Sequence, residues 1–463
     1  MIEGLKPYPD YKDSGVAWLG EVPGHWDLDR AKWLFRKMDR PVRDADEVVT
    51  CFRDGVVTLR KNRRLRGFTE SLKEIGYQGI CRGDLVIHAM DAFAGAVGVA
   101  DSDGKGMPVY SVCEPAQGAN SQYYAYIVRE MARSQWILAL AKGIRERYTD
   151  FRFDGFASQR VPLPPPDEQS AIVRFLDHAD RRIRRYIRAK LKLIKLLEEQ
   201  KQAIIHRAVT RGLDPNVRLK PSDVEWLGEV PEHWELRPAK QFFREVDERS
   251  VSGEEELLSV SHLTGVTPRS QKNVTMFMAE SYAGHKICRA GDLVINTMWA
   301  WMAALGVSRQ TGIISPAYAV YRPLRNSTLL GDYADLLFRT KPYVSEYICR
   351  STGIQSSRLR LYPEQFLRIS VLCPPVHEQE AILEHLGWET AETDRAINIA
   401  HREISLLREY RTRLIADVVT GKLDVRSAAA SLPEEVEAVP DDAEPLTEDE
   451  ESTDEATAEE AET

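Results

Sequence analysis

The sequence predicts an α+β protein built twice. Two β-rich globular modules are separated by two long helices that pair as an antiparallel coiled coil, with pseudo-two-fold symmetry. Residues 18–26 read Trp-Leu-Gly-Glu-Val-Pro-Gly-His-Trp, and residues 226–234 repeat this stretch with one change, 208 positions later. Gly-Asp-Leu-Val-Ile recurs at 83–87 and 291–295 with the same spacing. Each copy then closes with about 43 residues that lack proline and, apart from Gly387, lack glycine. The duplication predicts two modules of the same fold, and the long segments without proline or glycine predict the helices.

The bulk composition limits the class of protein. The net charge of −9 is concentrated in residues 427–463, which contain 15 Asp and Glu and no Lys or Arg, as is typical of a disordered acidic tail. The remaining chain has 62 basic and 56 acidic residues, a mildly cationic balance that permits nucleic-acid binding. The six cysteines show no disulfide or zinc spacing, and no apolar run or signal peptide is apparent, so we expect a cytoplasmic protein with reduced thiols.

The repeated Trp stretch opens each module. Pro23 and Gly24 lie between its two tryptophans and argue against a helix, so we expect a turn or loop whose tryptophans anchor to a core. His25 and His233 occupy matching positions, but no Cys or carboxylate stands near them at ligand spacing. Hydrogen-bonding histidines are therefore favoured over metal ligands or catalytic bases.

The body of each module is predicted to be β-rich. Residues 48–52 and 56–59 are β-branched runs around Arg53-Asp54-Gly55, the pattern of a hairpin. In the second copy, residues 257–261 are followed by Gly265-Val266. Gly-Asp before each Leu-Val-Ile predicts a turn that enters a buried strand. Between these matched positions the copies diverge, as two related modules with different ligands would.

Pro164-Pro165 and Pro374-Pro375 begin the two long helices. Residues 167–209 carry a balance of +5 and residues 377–419 one of −4, so the helices should pair with each other rather than with copies of themselves. A solvated charged face is the alternative interpretation. The apolar residues stepping by three and four predict the contact between the helices. They are Ile187, Ile194, Leu197 and Ile204 on the first helix, and Ile397, Ile404, Leu407, Leu414 and Val418 on the second.

Basic clusters with nearby amides fall at matching places in both copies. Arg, Asn and Gln can read guanine and adenine edges, while Lys and Arg also hold phosphates. A solvated loop is the alternative for each cluster taken singly. The candidate DNA-binding residues are Arg60, Lys61, Arg63, Arg64, Arg66, Gln78, Arg145 and Arg147 in the first copy, and Arg269, Gln271, Lys272, Asn273, Gln355, Arg358 and Arg360 in the second.

No catalytic motif accompanies these clusters. The sequence contains no phosphate-binding Gly-x-x-x-x-Gly-Lys-Ser/Thr, no Gly-x-Ser-x-Gly, no His-Glu-x-x-His and no Asp/Asn-Pro-Pro-aromatic stretch. We therefore expect no catalytic residue, no metal site and no cofactor in this chain.

The repeated Trp motif, the Pro-Pro-x-x-Glu-Gln helix entries and Gly212-Leu213-Asp214-Pro215 together resemble the specificity subunit of Type I restriction–modification systems, over residues 1–425. The resemblance implies target recognition domains at 1–162 and 213–372, each reading half of a bipartite DNA site. It implies spacer helices at 163–212 and 373–425 that dock two modification (methyltransferase) subunits. The acidic tail, 426–463, lies outside the resemblance.

The resemblance also implies the partners: double-stranded DNA, the methyltransferase subunits, and motor/nuclease restriction subunits. S-adenosylmethionine, ATP and Mg would belong to those subunits, and the assembly would act in the cytoplasm, at the nucleoid, in phage defence. Two alternatives remain at this point. One is a DNA methyltransferase or nuclease acting alone, and the other is a coiled-coil scaffold that binds only protein.

Overall fold

The computed structural model describes residues 5–63, 75–140, 150–271, 281–353 and 359–433. The chain divides into two units. Unit 1 comprises Met1–Lys190 and Arg402–Pro445, and unit 2 comprises Leu191–His401 and Leu446–Thr463. Each unit therefore contains one copy of the Trp motif and parts of both long helices. Helices and strands both occur, in agreement with the predicted α+β class.

A four-stranded antiparallel sheet organises unit 1, with the strand order β4-β11-β8-β9. The other strands form two-stranded antiparallel pairs: β1 with β2, β3 with β12, β5 with β6, and β7 with β10. The strands are β1 (Tyr11–Asp13), β2 (Glu21–Pro23), β3 (Asp27–Arg30), β4 (Phe35–Lys37), β5 (Val49–Cys51), β6 (Val57–Leu59), β7 (Gln78–Ile80), β8 (Leu85–His88), β9 (Val97–Val99), β10 (Gly104–Gly106), β11 (Tyr110–Pro115) and β12 (Arg160–Leu163). The helices are α1 (Ala31–Leu34), α2 (Ser121–Arg133), α3 (Trp136–Leu140), α4 (Phe153–Ala157) and the long α5 (Pro166–Arg211), whose residues up to Lys190 belong to this unit.

Unit 2 contains a sheet of the same order, β16-β23-β20-β21. Its strands are β13 (Leu219–Pro221), β14 (Glu229–Pro231), β15 (Glu235–Pro238), β16 (Phe243–Val246), β17 (Leu258–Ser261), β18 (Gly265–Pro268), β19 (Lys286–Cys288), β20 (Leu293–Ile295), β21 (Leu305–Val307), β22 (Gly312–Ile314), β23 (Ala319–Pro323) and β24 (Ser370–Cys373). The helices that follow are α6 (Gly331–Phe338), α7 (Lys341–Arg350), α8 (Pro363–Phe366) and the long α9 (Val376–Val419). After α9, the short α10 (Arg426–Ala430) belongs to unit 1.

The repeated Gly-Asp-Leu-Val-Ile lies where each sheet is covered on both faces. Leu85 and Ile87 of β8 point into the main core of unit 1, whereas Val86 points into a smaller core beneath the β5–β6 hairpin. Residues 293–295 divide between two cores of unit 2 in the same way. Because neighbouring strand residues face opposite sides, a strand buried on both sides needs a continuous apolar run. The predicted hairpins and buried strands are confirmed in both modules.

The Asp of this motif takes part in a network of ion pairs, and the basic and acidic positions of that network are exchanged between the copies. Asp84 accepts from the Cys81 amide at 2.7 Å and pairs with Arg40 at 2.5 Å, and Arg40 also reaches Glu114 at 3.2 Å. In unit 2, Asp292 pairs with Arg322 at 2.8 Å, and Arg322 reaches Glu248 at 3.3 Å. Positions 248 and 322 correspond to 40 and 114 at the 208 spacing, so the basic and acidic residues have exchanged places. The central aspartate keeps an arginine partner in both modules.

The second tryptophan of each repeat joins its module to a long helix. Trp26 is fully buried, and its Nε1 donates to Glu168 of α5 at 3.0 Å, while His25 Nε2 lies 2.9 Å from the other carboxylate oxygen. Tyr8 also donates to Glu168. In unit 2, Trp234 and His233 bond to Glu378 of α9 at 2.9 and 2.7 Å. The prediction of anchoring tryptophans is confirmed: Trp26 and Trp234 are buried, and Trp18 and Trp226 are half-buried and pack against the cores of their units. Both histidines are hydrogen-bonded as expected.

The same tryptophans meet the end of the other long helix. A Cβ at Gly421, just after α9, would lie 2.9 Å from Trp26, and one at Gly212, just after α5, would lie 3.2 Å from Trp234. Both glycines have left-handed backbone, with φ of 78° and 75°. Nearby, Tyr123 donates to the Val419 carbonyl at 3.0 Å and Tyr333 to the Val209 carbonyl at 2.8 Å. Each module is thus fixed to the beginning of one long helix and the end of the other.

Within each unit, cations of one long helix meet carboxylates of the other. In unit 1, Asp180 pairs with Arg411, and Lys190 pairs with Glu403 at 2.6 Å. Residue numbers fall along α9 as they rise along α5, so these segments run antiparallel. In unit 2, Lys201 pairs with Asp394 at 2.5 Å. The predicted contact residues are buried or half-buried throughout; Ile187, Ile194, Ile404, Leu414 and Val418 are buried, and Leu197, Ile204, Ile397 and Leu407 are half-buried.

Candidate nucleic-acid interface

The first predicted basic cluster lies at the end of a hairpin in each module. Residues Arg60–Asn62 form one turn of 3₁₀ helix directly after β6, and Arg269–Gln271 form the matching turn after β18. The Arg60 amide donates to the Val48 carbonyl at 2.8 Å, and the Arg269 amide donates to the Leu257 carbonyl at 2.9 Å. The two clusters are therefore held at the same place by the same backbone bond.

The side chains of the module 1 cluster differ in their availability. Lys61 is exposed and pairs with the exposed Glu47 at 2.5 Å, a contact of little energetic weight. Arg63, by contrast, is 13% exposed; it pairs with Asp54 at 2.9 Å and lies 4.6 Å from the Phe52 ring. Arg63 therefore fixes the hairpin turn, whereas Lys61 stays exposed on the turn after β6.

In module 2, Arg269 is half-exposed and Gln271 is exposed. Across the described parts of the chain, no carboxylate pairs with the Arg269 guanidinium; the nearby Glu256 accepts instead from Ser270 at 2.7 Å. A guanidinium and an amide are thus presented together at this turn.

Gln78 has a different position from the one expected of a base-reading residue. It lies in β7, its side chain is buried, and its Nε2 donates to the Tyr110 carbonyl at 2.8 Å. The prediction for Gln78 is corrected on this ground, because a buried amide bonded to the backbone supports the sheet and faces no solvent.

Eight of the predicted residues lie outside the described residues: Arg64, Arg66, Arg145, Arg147, Lys272, Asn273, Gln355 and Arg358. The segments that follow them are described. The Phe151 amide donates to the Ala89 carbonyl at 3.0 Å, and the Leu361 amide donates to the Thr297 carbonyl at 2.8 Å. Arg360 is half-exposed and its backbone makes two 3.0 Å bonds with Thr352. In both modules, therefore, the chain that follows the predicted basic cluster at 145–147 or 355–358 runs beside the loop that follows β8 or β20.

These two loops, residues 89–96 and 297–304, are the feature that the sequence interpretation missed. In module 1, Asp91 pairs with Arg53 of the hairpin turn at 2.9 Å. Burial lowers the pKa of the adjacent His88, against the opposite influence of Asp91. In module 2 the positions of Asp91 and Phe93 are taken by Trp299 and Trp301. A signal for these loops was present in the sequence. The copies differ between flanking residues that are identical, Met90 and Met298 before the loop and Gly98 and Gly306 after it.

The hairpin packs directly on the strand that follows each of these loops, β9 or β21, because glycine permits the close approach. A Cβ at Gly98 would lie 2.0 Å from the Gly55 carbonyl oxygen, and a Cβ at Gly55 would lie 2.5 Å from Arg129 of α2. In module 2, Gly306 lies against Gly265, and Arg339 of α6–α7 donates to the carbonyls of Ser261 and Leu305 at 3.2 Å each. In module 2 an arginine thus bonds the hairpin to the strand after the loop, and in module 1 the Arg129 side chain lies close to Gly55 of the hairpin turn and Gly95 of the loop. The outer residues of hairpin and loop can differ without changing this frame.

The described residues contain no group of three or more His, Cys, Asp or Glu side chains that could hold a metal ion. Within the same ranges, no helix is long and apolar enough to cross a membrane.

Comparison with known proteins identifies the kind of protein that this chain resembles. It is 24% identical over 291 residues to the type I restriction enzyme MjaVIII specificity subunit of Methanocaldococcus jannaschii, covering 59% of this chain and 64% of the relative. The chain is similar to specificity subunits of type I restriction enzymes. The resemblance inferred from the repeated motifs is confirmed, although the match spans less than two thirds of the relative's length.

A solved structure shows the same fold over most of the chain. A protein chain from a study of complex assembly and conformational transition of the type I R-M system superposes with a TM-score of 0.61 at 15% identity, covering 87% of this chain and 99% of that one. The HsdS subunit from Thermoanaerobacter tengcongensis aligns over 87% of this chain and 98% of its own length, with 15% identity and a TM-score of 0.43. No protein-family model matches the chain.

Proposed function

We propose that this protein is the DNA-recognition subunit of a type I restriction–modification complex and has no catalytic role of its own. Its two modules, residues 1–162 and 213–372, each read one half of a bipartite duplex DNA site. One observation carries the proposal: the modules share sheet order, helix anchors and hairpin attachment, yet differ in the residues of the matched loops and turns. A shared frame with different outer residues is what recognition of two different half-sites requires.

The turn after each hairpin supplies suitable chemistry. Arg60 and Lys61 in module 1, and Arg269 with Gln271 in module 2, can contact phosphates or base edges. Arg360 joins them from the strand-like segment beside the second loop. Arg63 and Gln78 are not part of the proposed contact set, since both are used inside the module.

We propose that α5 and α9 form a spacer that sets the separation of the half-sites. At about 1.5 Å per residue, the 46 residues of α5 extend roughly 69 Å, which accommodates half-sites about 34–36 Å apart. A pseudo-two-fold arrangement of the modules follows if the antiparallel pairing continues along both helices.

The helices would also dock two methyltransferase subunits. Both long helices keep large apolar side chains in solvent, which favours a protein partner. Among the most exposed are Tyr186, Leu193 and Leu196 on α5, and Trp388, Ile399 and Leu406 on α9. S-adenosylmethionine would be held by those subunits, and ATP and Mg by motor/nuclease subunits, acting together on cytoplasmic DNA.

Methylome sequencing of cells with and without the gene tests the proposal. We expect a two-part adenine-methylated motif that disappears on deletion and returns on complementation. Persistence of every modified motif would contradict it. Methyl transfer to DNA by the purified chain alone would instead support an enzyme acting without partners, and binding of protein but not DNA by the assembled complex would support a scaffold.

A further inference from the structure

The loop after β20 carries a pair of tryptophans that the core does not use. Trp299 and Trp301 stack with ring centroids 5.7 Å apart and ring planes 20° apart, and both are half-exposed. Neither belongs to the apolar side chains packed against the core of unit 2, although Ala300 between them is fully buried. At the matching position of module 1, Phe93 does pack against its core. The second module has therefore turned this loop's aromatic residues outward.

The loop is held firmly in this shape. Trp301 Nε1 donates to the Met298 carbonyl at 2.9 Å, the Trp299 amide donates to the Asn296 carbonyl at 3.0 Å, and Thr297 donates to the Ala317 carbonyl at 2.9 Å. Ala303 closes the loop with φ of 62°, where module 1 has Gly95 at 90°. A residue with a Cβ in this region is strained, and such strain often accompanies functional loops.

We propose that Trp299 and Trp301 make the apolar contacts by which module 2 reads bases of its half-site. This rests on the proposed function and adds the chemistry of one contact. Trp301 has already used its only donor on Met298, so its ring offers a flat apolar face rather than a hydrogen-bond pattern. Such faces contact thymine methyl groups or wedge between base pairs.

The surroundings favour DNA as the occupant of this face. The bond between Leu361 and Thr297 places Arg360 and the exposed Tyr362 beside the loop. Leu361 itself is buried, so its neighbours in the extended chain face the other way. A cation next to stacked aromatic rings can hold a phosphate while the rings meet the bases. Module 1 presents the Arg53–Asp91 ion pair at the same place, so the two modules would read by different chemistry.

The test uses the complete complex with methyltransferase subunits and duplexes carrying the methylome-defined site, with either half-site scrambled. For Trp299→Ala, we expect affinity for the intact site to fall tenfold or more, discrimination at half-site 2 to relax, and discrimination at half-site 1 to persist. The dependence of affinity on salt should keep its slope, since no phosphate contact is removed. Trp33→Ala changes a 64%-exposed tryptophan of module 1 and should alter nothing.

Trp301→Phe keeps an aromatic face for contact with the bases but removes the hydrogen bond to Met298 that holds the loop. It therefore separates the effect of the ring from the effect of the loop's shape. We expect it to retain partial half-site 2 discrimination. Unchanged discrimination by Trp299→Ala would overturn the proposal, and so would loss of both half-sites or a reduced salt slope. Failure of the wild-type complex to discriminate either half-site would instead contradict the proposed function itself.

Discussion

The indole Nε1 of Trp26 donates a hydrogen bond to Glu168 Oε1 over 3.0 Å, across 142 residues of sequence. Trp234 and Glu378 repeat the relationship at 2.9 Å across 144 residues. The repeated Trp motif is thus hydrogen-bonded to the Glu of the repeated Glu-Gln at the helix entry in both copies. This explains why both survive in a chain whose copies otherwise diverge.

Replacing Glu168 should weaken unit 1 more than replacing Glu378 weakens unit 2. Glu168 is buried and accepts from Tyr8, His25 and Trp26, whereas Glu378 is 28% exposed and accepts from His233 and Trp234. An unpaired buried donor costs about 1–3 kcal/mol. We expect Glu168→Ala to lower the free energy of unfolding of unit 1 by about 3 kcal/mol and Glu378→Ala to have about half that effect on unit 2. Hydrogen exchange resolved by unit measures both, and equal losses would contradict the prediction.

The reversed charge network predicts that two harmful changes compensate each other. Arg40→Glu would face Asp84 with a second carboxylate, and we expect it to destabilise module 1 by about 3 kcal/mol, as loss of a buried partner does. Adding Glu114→Arg recreates the arrangement of module 2, where Arg322 serves Asp292. The double variant should recover most of the loss.

Chemical denaturation of the wild type, both single variants and the double variant forms a double-mutant cycle for this network. Simple additivity of the two single effects would refute the idea that the modules use interchangeable solutions. Arg36→Ala, which removes an exposed partner of Glu114, is the control and should change stability little.

Burial raises the pKa of Asp335 on α6, against the lowering influence of Arg339. A carboxyl whose pKa is raised on folding binds its proton more tightly in the folded state. Ionisation therefore destabilises unit 2, and stability falls as the pH rises from the ordinary Asp value through the raised one. Asp335→Asn keeps the acceptor for the Val307 amide, 2.9 Å away, and removes the charge.

We expect Asp335→Asn to stabilise unit 2 at pH 7 and to match the wild type near pH 3, where both side chains are neutral. Denaturation at several pH values checks this. Glu254→Gln alters an exposed carboxylate in the loop before β17 of the same unit and should leave the difference between pH 3 and pH 7 as in the wild type. A destabilised Asp335→Asn at pH 7 would show that the charge is needed there.

The strands, turns and helix anchors of the modules could be predicted from the sequence because these are the features that recur in both copies. Trp26 recurs because it is fully buried, and Gly98 because a Cβ there would collide with the Gly55 carbonyl oxygen. The glycines of the Gly-Asp turns recur because their backbone is left-handed, with φ of 93° at Gly83 and 90° at Gly291. Hydrophobic period and proline placement were sufficient for the long helices. These features depend on local sequence and on burial, and the spacing of apolar and polar residues reflects both.

The recognition surface was predicted less well, for a physical reason. A basic residue in a loop can face solvent, as Lys61 does, or turn inward to a carboxylate, as Arg63 does towards Asp54. The choice depends on distant chain segments brought close by folding. Trp299 and Trp301 were missed because aromatic residues usually indicate a core, and only their absence from the core of unit 2 reveals them.

Lys61→Ala and Arg269→Ala should each affect one half-site only. Both residues lie on matching turns after the hairpins, and neither is buried. If the residue reads a base, its loss should cost about 1–3 kcal/mol of discrimination at one position; if it holds phosphate, the salt slope should fall by about one. Binding by the assembled complex to duplexes with scrambled half-sites distinguishes these. An effect on the opposite half-site would contradict the division between modules.

Two neighbouring residues of α9 should separate helix pairing from docking. Ile404 is 3% exposed beside the Lys190–Glu403 pair, whereas Leu406 is 56% exposed. Ile404→Asp buries an unpaired charge and should open the pairing of α5 and α9 in unit 1, with Ile194→Asp doing the same in unit 2. Leu406→Asp should leave the fold intact and weaken capture of the methyltransferase subunit by at least tenfold. Circular dichroism with co-purification measures both properties, and normal complex formation by Ile404→Asp would reject the proposed contact between the helices.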